Sequence, residues 1–588
     1  MASLLEYIRE DRRRSSAALM LAILTVNSLL LFFLNIPYLG ISGFPAFALL
    51  GISLFFPWMV VLGKYRGVTI LINTLLTLAI IAYYLLHGSI AVGLGEQLGG
   101  FRFTLISIQL YLAMILLLAI KWHTSRPKTL ESLGMIAEDE YVKSLKHPIA
   151  RFGARAFSWL DALLDAGVMV IFINIFIFQL YMVPTESMVP TFLVNDRPFV
   201  IKITEGPKLP VTNFGLPRLR QPKRGDIVVV RNPRYDQSPA AEAKKLLSDV
   251  VYMLTFTGVL IDKYDDSGQI KSDPLVKRLI GVPGESLEMA NQVVYRKVPG
   301  GQWQPLENFN AQDLPDLYEL PEDVQERIQD FPMDAQTRRL LTRLDQRLEG
   351  LWVDEEYQAQ LRETYLLADR IRTLAERIQN LRIHHGFAEQ VAPVARTIVQ
   401  AGPGYFSDLN VFSQDLDIAM AMASDSGALD TFLQFLEQPS TYAGDSRFYR
   451  TSRALNLLIK TDLARLLSAN LAALTGENEV SSLRREVIAS LNEYLRYLSY
   501  FYLRNFPPFP GEQEVLAQGQ YFYMGDNRLN SIDARHGTYH DAPVDEFDPY
   551  SMTYTTLIGP RSVPTENLVG WSGFRVFPFD RFGVIKAP

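Results

Sequence analysis

The hydrophobic positions of this chain crowd into its first third. Five apolar stretches, at 17–36, 44–63, 68–87, 103–120 and 162–183, each run for about 20 residues. At about 1.5 Å per helical residue, each is long enough to cross a bilayer core of about 30 Å. The first follows Arg12, Arg13 and Arg14, but it is too long for a cleaved leader, and the Asn35-Ile36-Pro37-Tyr38 behind it is no small-residue cleavage site. The second contains Pro57 and leaves a re-entrant or interfacial reading open. Basic residues fall in alternate loops: Arg9 and Arg12 to Arg14, then Lys64 and Arg66, then Lys121, Arg126, Lys128, Lys143, Lys146, Arg151 and Arg155. The intervening loops hold only Arg102. The positive-inside rule then predicts a cytoplasmic N-terminus, five crossings, and an extracytoplasmic location for everything after residue 183.

Beyond that point the period changes. Residues 184–300 contain short β-branched runs, Phe199–Ile203, Asp226–Arg231 and Leu275–Ile280, divided by Pro and Gly. Residues 321–506 read as helix. Leu341, Leu344, Leu348 and Leu351 step by three and four, as do Leu367, Ile371, Leu374, Ile378 and Leu381, and Leu483, Val487, Leu491, Tyr494 and Leu498. Such stripes are the buried faces of amphipathic helices. Phe506-Pro507-Pro508-Phe509-Pro510 ends the region, and β character returns at Gln520–Met524 and Gly573–Phe577. The expected fold is a multi-pass α-helical membrane anchor joined to a mostly-β domain that a large α-helical insertion interrupts. The predicted boundaries are 1–160 for four membrane helices and a basic cytoplasmic loop, and 161–183 for a fifth membrane helix. The two β parts are 184–305 and 511–588, and the insertion is 306–510. The insertion is expected to form an independent helical lobe, with outer faces free for a protein partner.

Composition narrows the chemistry. The chain of 588 residues has no cysteine, which removes disulfides, thiol nucleophiles and cysteine-based metal sites. A formal net charge of -6 argues against general nucleic-acid binding. His536 and His540 are close in sequence, but no third ligand accompanies them, so no metal and no cofactor are expected.

Two residues draw attention by position. Ser187 lies four residues past Val183, so an extended chain keeps it within about 14 Å of the predicted membrane boundary. Lys277 sits inside the apolar run Leu275–Ile280, where burial would disfavour its ammonium form and leave an amine able to accept a serine proton. Taken singly, each has a plainer and stronger explanation: a serine in an exit loop and a lysine snorkelling from a strand edge.

Their context is more specific. Pro184-Thr-Glu-Ser-Met188, Arg224-Gly-Asp-Ile-Val-Val-Val230 and Val276-Lys-Arg-Leu-Ile-Gly-Val-Pro-Gly-Glu285 are followed by Gly525-Asp-Asn-Arg-Leu-Asn-Ser-Ile-Asp-Ala-Arg535 and Val563-Pro-Thr-Glu-Asn-Leu-Val-Gly570. In this order, after a membrane segment, the series resembles the type I signal peptidases, membrane-bound Ser/Lys proteases. The resemblance covers 164–300 and 515–585. It implies a signal-peptidase-type β domain, with Ser187 as nucleophile and Lys277 as general base. Thr185 would help form the oxyanion hole, and Ser531 would orient the lysine amine. Asp533 and Arg535 would support the site, as would Arg278, Asp526 and Asn527 in the same boxes. With the five apolar stretches and their basic loops, the chain is expected to be a multi-pass protein of the cytoplasmic (inner) membrane with its catalytic domain outside. That protein would cut signal peptides from secretory preproteins at the bilayer surface, without a cofactor. Glu186, Ala534, the extra residues between Arg535 and Val563, and the insertion depart from the family pattern. Glu186 must point away from Lys277, because a nearby carboxylate would favour the ammonium form. A Ser/Lys protease with a narrow client set selected by the insertion, and a catalytically silent membrane scaffold, are the rival readings.

Overall fold

The computed structural model describes residues 2–585 apart from several stretches, chiefly 40–43, 64–68, 81–99, 209–215, 249–260, 265–272, 310–316, 330–332, 384–425 and 476–479. Near the N-terminus, helix α1 (Arg12–Leu39) packs against α2 (Phe44–Val61) and α3 (Gly100–Thr124). Leu21, Leu24, Leu31, Val60, Leu117 and Ile120 are buried between them. Helix α4 (Pro148–Phe176) joins this group through an ion pair, Lys121 to Asp161 at 3.0 Å. Among the described residues one helical stretch, Arg12–Leu31, is long and apolar enough to cross a membrane. Of the five crossings expected from sequence, the described residues thus support one candidate span. Helix α2 has Pro57 inside it, the described apolar part of α3 is only Tyr111–Thr124, and most of the 68–87 stretch, with Lys64 and Arg66, lies outside the described residues.

The fifth apolar run is helical only as far as Phe176. The chain then turns, and β1 (Phe178–Leu180) pairs antiparallel with β2 (Arg197–Ile201). The predicted helix over 161–183 therefore ends early. Hydropathy alone does not distinguish a helix from a strand that continues the same apolar run.

The β domain is built on an eight-stranded sheet. β2 pairs with β13 (Leu568–Phe577), which pairs with β3 (Ile227–Val230); β4 (Leu275–Gly281) follows, then β9 (Gln520–Met524) and β12 (Val563–Pro564). β14 (Gly583–Val584) lies beside β13. A second sheet runs β7 (Gln304–Pro305), β6 (Val293–Lys297), β5 (Ser286–Ala290), β8 (Phe506–Phe509). A hairpin of β10 (His536–Pro543) and β11 (Thr553–Ile558) completes it. The Phe506–Pro510 break, read from sequence as the end of the insertion, is the edge strand β8 of the second sheet. Pro507 and Pro508 cannot donate to a ladder, and an outer strand is where that is tolerated.

The insertion contains α5 (Ala335–Gly350), α6 (Asp354–Ile383), α7 (Ser426–Glu437), α8 (Arg447–Leu474) and α9 (Val480–Ser499). Asp334 caps α5 by accepting the Thr337 N–H at 2.8 Å. Most of the stripes read from sequence is buried, though Leu483, at the start of α9, is instead 42% exposed and the Leu381 side chain lies outside the description: Leu341, Leu344 and Leu348 on α5, Ile371, Leu374 and Ile378 on α6, Val487, Leu491 and Leu498 on α9. They surround α8, which is buried on nearly every face.

The insertion is not a separate lobe. A single core holds Val228, Leu279, Leu287 and Met289 of the sheets together with Leu455, Leu458 and Leu466 of α8. Polar contacts tie the same parts. The Glu288 carboxylate on β5 accepts from the Ser446 hydroxyl and, at 2.9 Å, from the Arg447 N–H at the start of α8. It thus sits at the positive end of that helix. Burial, opposed by those hydrogen bonds, pushes the Glu288 carboxyl up to about 7. Farther along α8, Lys460 pairs with Asp548 of the β10–β11 loop at 2.5 Å, and Asn456 donates to the same carboxylate at 2.7 Å.

Candidate active site

Ser187 occupies one turn of 3-10 helix, Glu186–Met188, that follows the extended Thr185. Met188 packs with Val183, Phe192 and Ile227, which fixes the turn against β3. Lys277 lies on β4 opposite Val228 and is 2% exposed. Its Nζ donates to Ser187 Oγ at 2.7 Å and to Ser531 Oγ at 3.1 Å. Burial lowers Lys277 to about 8; Asp533 and Asp526 pull it back up, and Arg535 adds to the fall. Near pH 8 a large fraction of this amine is therefore neutral and can take a proton.

The lysine is held from behind. Ser531 Oγ donates to Asp533 Oδ2 at 3.0 Å, which leaves its lone pairs facing Lys277. Burial would raise Asp533, but the Arg535 guanidinium overrides it and holds the carboxyl well below the usual range. Arg535 donates to both Asp533 oxygens, at 2.8 and 2.9 Å, and to the Arg528 carbonyl at 3.0 Å. Gly525 is required here. A Cβ at this position would stand 2.2 Å from Ser531 Oγ and 2.4 Å from the Ser187 carbonyl, so the Gly525–Arg535 loop could not close on the nucleophile.

Arg278 and Asp526 form a second buried pair, at 2.8 and 2.6 Å. Asn527 reaches the site through its backbone, donating to the Ser187 carbonyl at 3.1 Å. All nine residues singled out in the sequence thus meet in one region. Ser187, Lys277, Ser531 and Thr185 surround the hydroxyl, with Thr185 Oγ1 donating to Ser187 Oγ at 3.3 Å. Asp533, Arg535, Arg278, Asp526 and Asn527 form the surrounding frame. Sequence reasoning missed Thr191, whose hydroxyl donates to Asp526 at 2.6 Å and accepts from Arg278 at 3.3 Å. It stands at the end of the nucleophile's own box, and only the fold brings that end to Asp526.

His536 is a buried strut. Its Nδ1 accepts the Asp533 N–H at 3.1 Å, and its Nε2 lies 3.0 Å from the Tyr502 carbonyl. The Glu186 carboxylate accepts the backbone N–H of Gln329, and Glu186 is not among the charges that shift Lys277.

A family model described as "Signal peptidase, peptidase S26" matches residues 156–340 and 483–575. The match extends farther into the helical insertion, from both sides, than the sequence boxes did. Signal peptidase I of Buchnera aphidicola subsp. Schizaphis graminum is 37% identical over 78 residues, 13% of this chain and 25% of that protein. Signal peptidase I P of Bacillus subtilis subsp. natto is 28% identical over 137 residues, 23% of this chain and 48% of that protein. Probable signal peptidase I-2 of Synechocystis sp. is 26% identical over 141 residues, 24% and 45% respectively. The chain thus spans from a quarter to about half the length of these relatives.

Proposed function

We propose, from the match to the signal peptidase family, peptidase S26, that the chain is a membrane-bound serine endopeptidase that removes signal peptides from secretory preproteins. The observation that most supports this is the 2.7 Å contact of the buried Lys277 Nζ with Ser187 Oγ. In this reading Lys277 takes the Ser187 proton as Oγ attacks the scissile carbonyl. Ser531 and Asp533 keep the amine aimed. The Thr185 hydroxyl, now turned toward Ser187 Oγ, rotates to the developing oxyanion, where one such donor contributes about 2.7–4 kcal/mol. Lys277 then returns its proton to the leaving amine and activates the water that frees the acyl-enzyme.

An extended substrate presents alternate side chains to one side. Small side chains one and three residues before the cut are therefore expected to share one wall. The test is digestion of a purified preprotein in detergent, with the cut mapped by product mass. A single cut behind a small residue, lost in Ser187→Ala, supports the reading. No cut in several unrelated preproteins sinks the general activity and favours the narrow-client protease.

We further propose that the apolar N-terminal third is a multi-pass anchor of the cytoplasmic membrane, with the β domain outside. The alternation of basic loops and the family's membrane habit support this. A chain without cysteine suits single-cysteine labelling. Glu514→Cys, exposed in the β domain, should react with an impermeant maleimide reaching the outer face, and the exposed Ser125→Cys only after permeabilisation. The reverse pattern, or equal labelling of both, overturns the topology.

A further inference from the structure

Between Met188 and Arg197 the chain joins no helix and no strand. The place of this segment, which leads away from the nucleophile, is therefore set by side chains and single hydrogen bonds. At its end Asp196 is buried, and its carboxylate accepts the Leu193 N–H at 2.9 Å. Two guanidiniums reach that carboxylate from the last strand region: Arg581 at 2.9 Å and Arg575 at 3.4 Å. A carboxylate so buried needs its cations, and the pairing fixes where both arginines point. Each arginine also holds a backbone carbonyl of the segment. Arg575 Nη1 donates to the Thr191 carbonyl at 2.9 Å, and Arg581 Nη2 to the Pro190 carbonyl at 3.4 Å.

Thr191 is where this cluster meets the site. Its carbonyl takes Arg575, while its hydroxyl donates to Asp526 and accepts from Arg278. Arg278 follows Lys277 on β4. Asp526 precedes Asn527, whose N–H holds the Ser187 carbonyl at 3.1 Å. The nucleophile thus stands four positions ahead of a residue pinned on two sides.

We infer that Arg575 is a positioning residue for Ser187: from β13 it pins the Thr191 carbonyl, which sets the Thr191 hydroxyl on the Arg278–Asp526 pair and seats the nucleophile's turn against Lys277. This rests on the reading of Ser187 and Lys277 as the catalytic pair. It adds a residue beyond the last of the sequence boxes, which ends at Gly570.

The geometry explains why this residue is an arginine. β13 lies between β2 and β3 in the main sheet, and Arg575 sits opposite Pro198, so the base of its side chain is fixed. Its donors diverge in a rigid fork: Nη1 takes the Thr191 carbonyl while Nε takes the Arg581 carbonyl at 2.6 Å. A lysine would bring the same charge toward Asp196, but with all its donors on one atom and no fork to hold two segments. A displacement of about 1 Å at reacting atoms can cost about 10²-fold in rate.

The test compares Arg575→Met, Arg575→Lys and Thr191→Val in the full chain in detergent, each first shown to be folded by its melting curve. Two rates are read near pH 8. One is preprotein cleavage. The other is acylation of Ser187 by a small activated ester, followed by the mass of the peptide containing Ser187; it needs no recognition of a signal peptide. In Arg575→Met, kcat for cleavage and the acylation rate should both fall by about 10²-fold, with KM unchanged. Arg575→Lys keeps the charge and loses the fork, so it should fall almost as far, and it serves if Arg575→Met fails to fold. Because Arg575 acts through Thr191, a chain carrying both Arg575→Met and Thr191→Val should be no slower than the worse single variant. A loss under about threefold in the folded variants, a rise in KM alone, full activity in Arg575→Lys, or losses that multiply in the double variant overturn the assignment. Labelling of Ser187 that follows the expected pattern without any preprotein cleavage sinks the peptidase reading and leaves the positioning role standing. A wild-type Ser187 that takes no label overturns both.

Discussion

Cleavage of a preprotein by purified enzyme is expected to fall by about 10⁴-fold or more in either Ser187→Ala or Lys277→Ala. Among the described side chains Ser187 Oγ has no other base in contact, and Lys277 Nζ bonds only to Ser187 and Ser531. Removing either member leaves the other without a partner for the proton. Initial rates in detergent decide this, and a Lys277→Ala enzyme within tenfold of wild type would sink the assignment. The wild-type rate at saturating substrate should climb as pH approaches about 8 and level off above it, since the neutral amine is the working form.

The same burial makes Lys277 a burden on the fold. It releases its proton near 8 when folded and near 10.5 when unfolded. Between those values the unfolded chain holds more protons, so this group's contribution to stability rises with pH there. Below about 8 the penalty is complete, at up to about 3 kcal/mol. Lys277→Met should therefore melt higher than wild type at pH 7, with the gap shrinking as pH rises from 8 toward 10.5. Such a trade of stability against activity is common at sites held away from their packing optimum.

The second large effect lies far from the nucleophile in sequence. Lys460 and Asp548 are each about 2% exposed, and they join the centre of α8 to the β10–β11 loop. Lys460→Met leaves the Asp548 carboxylate buried without its cation, and should destabilise the chain by about 3–5 kcal/mol. Replacing Asp548 by Leu in the same chain should recover most of that loss, because an apolar pair of similar volume needs no compensation. Denaturant unfolding followed by helix content and by activity checks both. The two signals should be lost in one transition, since sheets and insertion share a core. Two separate transitions, or a loss under 1 kcal/mol, would count against that linkage.

The chemistry was easier to read from sequence than the architecture. Ser187, Lys277, Ser531, Asp533 and Arg535 stand in short local boxes, and a site built from a turn, a strand and a loop keeps its residue types in order. The amphipathic helices were legible because one face of α5, α6 or α9 is wet, which leaves a stripe. Helix α8 left no stripe. It is enclosed by its neighbours, and Arg453, Asn456, Lys460 and Asp462 interrupt its apolar positions because each finds a polar partner inside. Strand β8 was hidden by its prolines. The end of α4 was hidden by an apolar run that helix and strand share. The hydrogen bond to Glu186 pairs a side chain with a backbone amide 143 positions away, and a backbone amide carries no sequence signature.

The insertion also sets an order of assembly. Lys277 and the Ser531 hydroxyl that aims it are 254 positions apart, with β9 and its loop arriving after the insertion. At about 5–20 residues per second of synthesis, roughly ten seconds or more pass between the two. Through that interval Lys277 has neither β9 to cover it nor Ser531 to orient it, so it stays hydrated and charged. On the proposed reading of Lys277 as base, a nascent copy would stay unarmed until its own C-terminal strands close over that lysine.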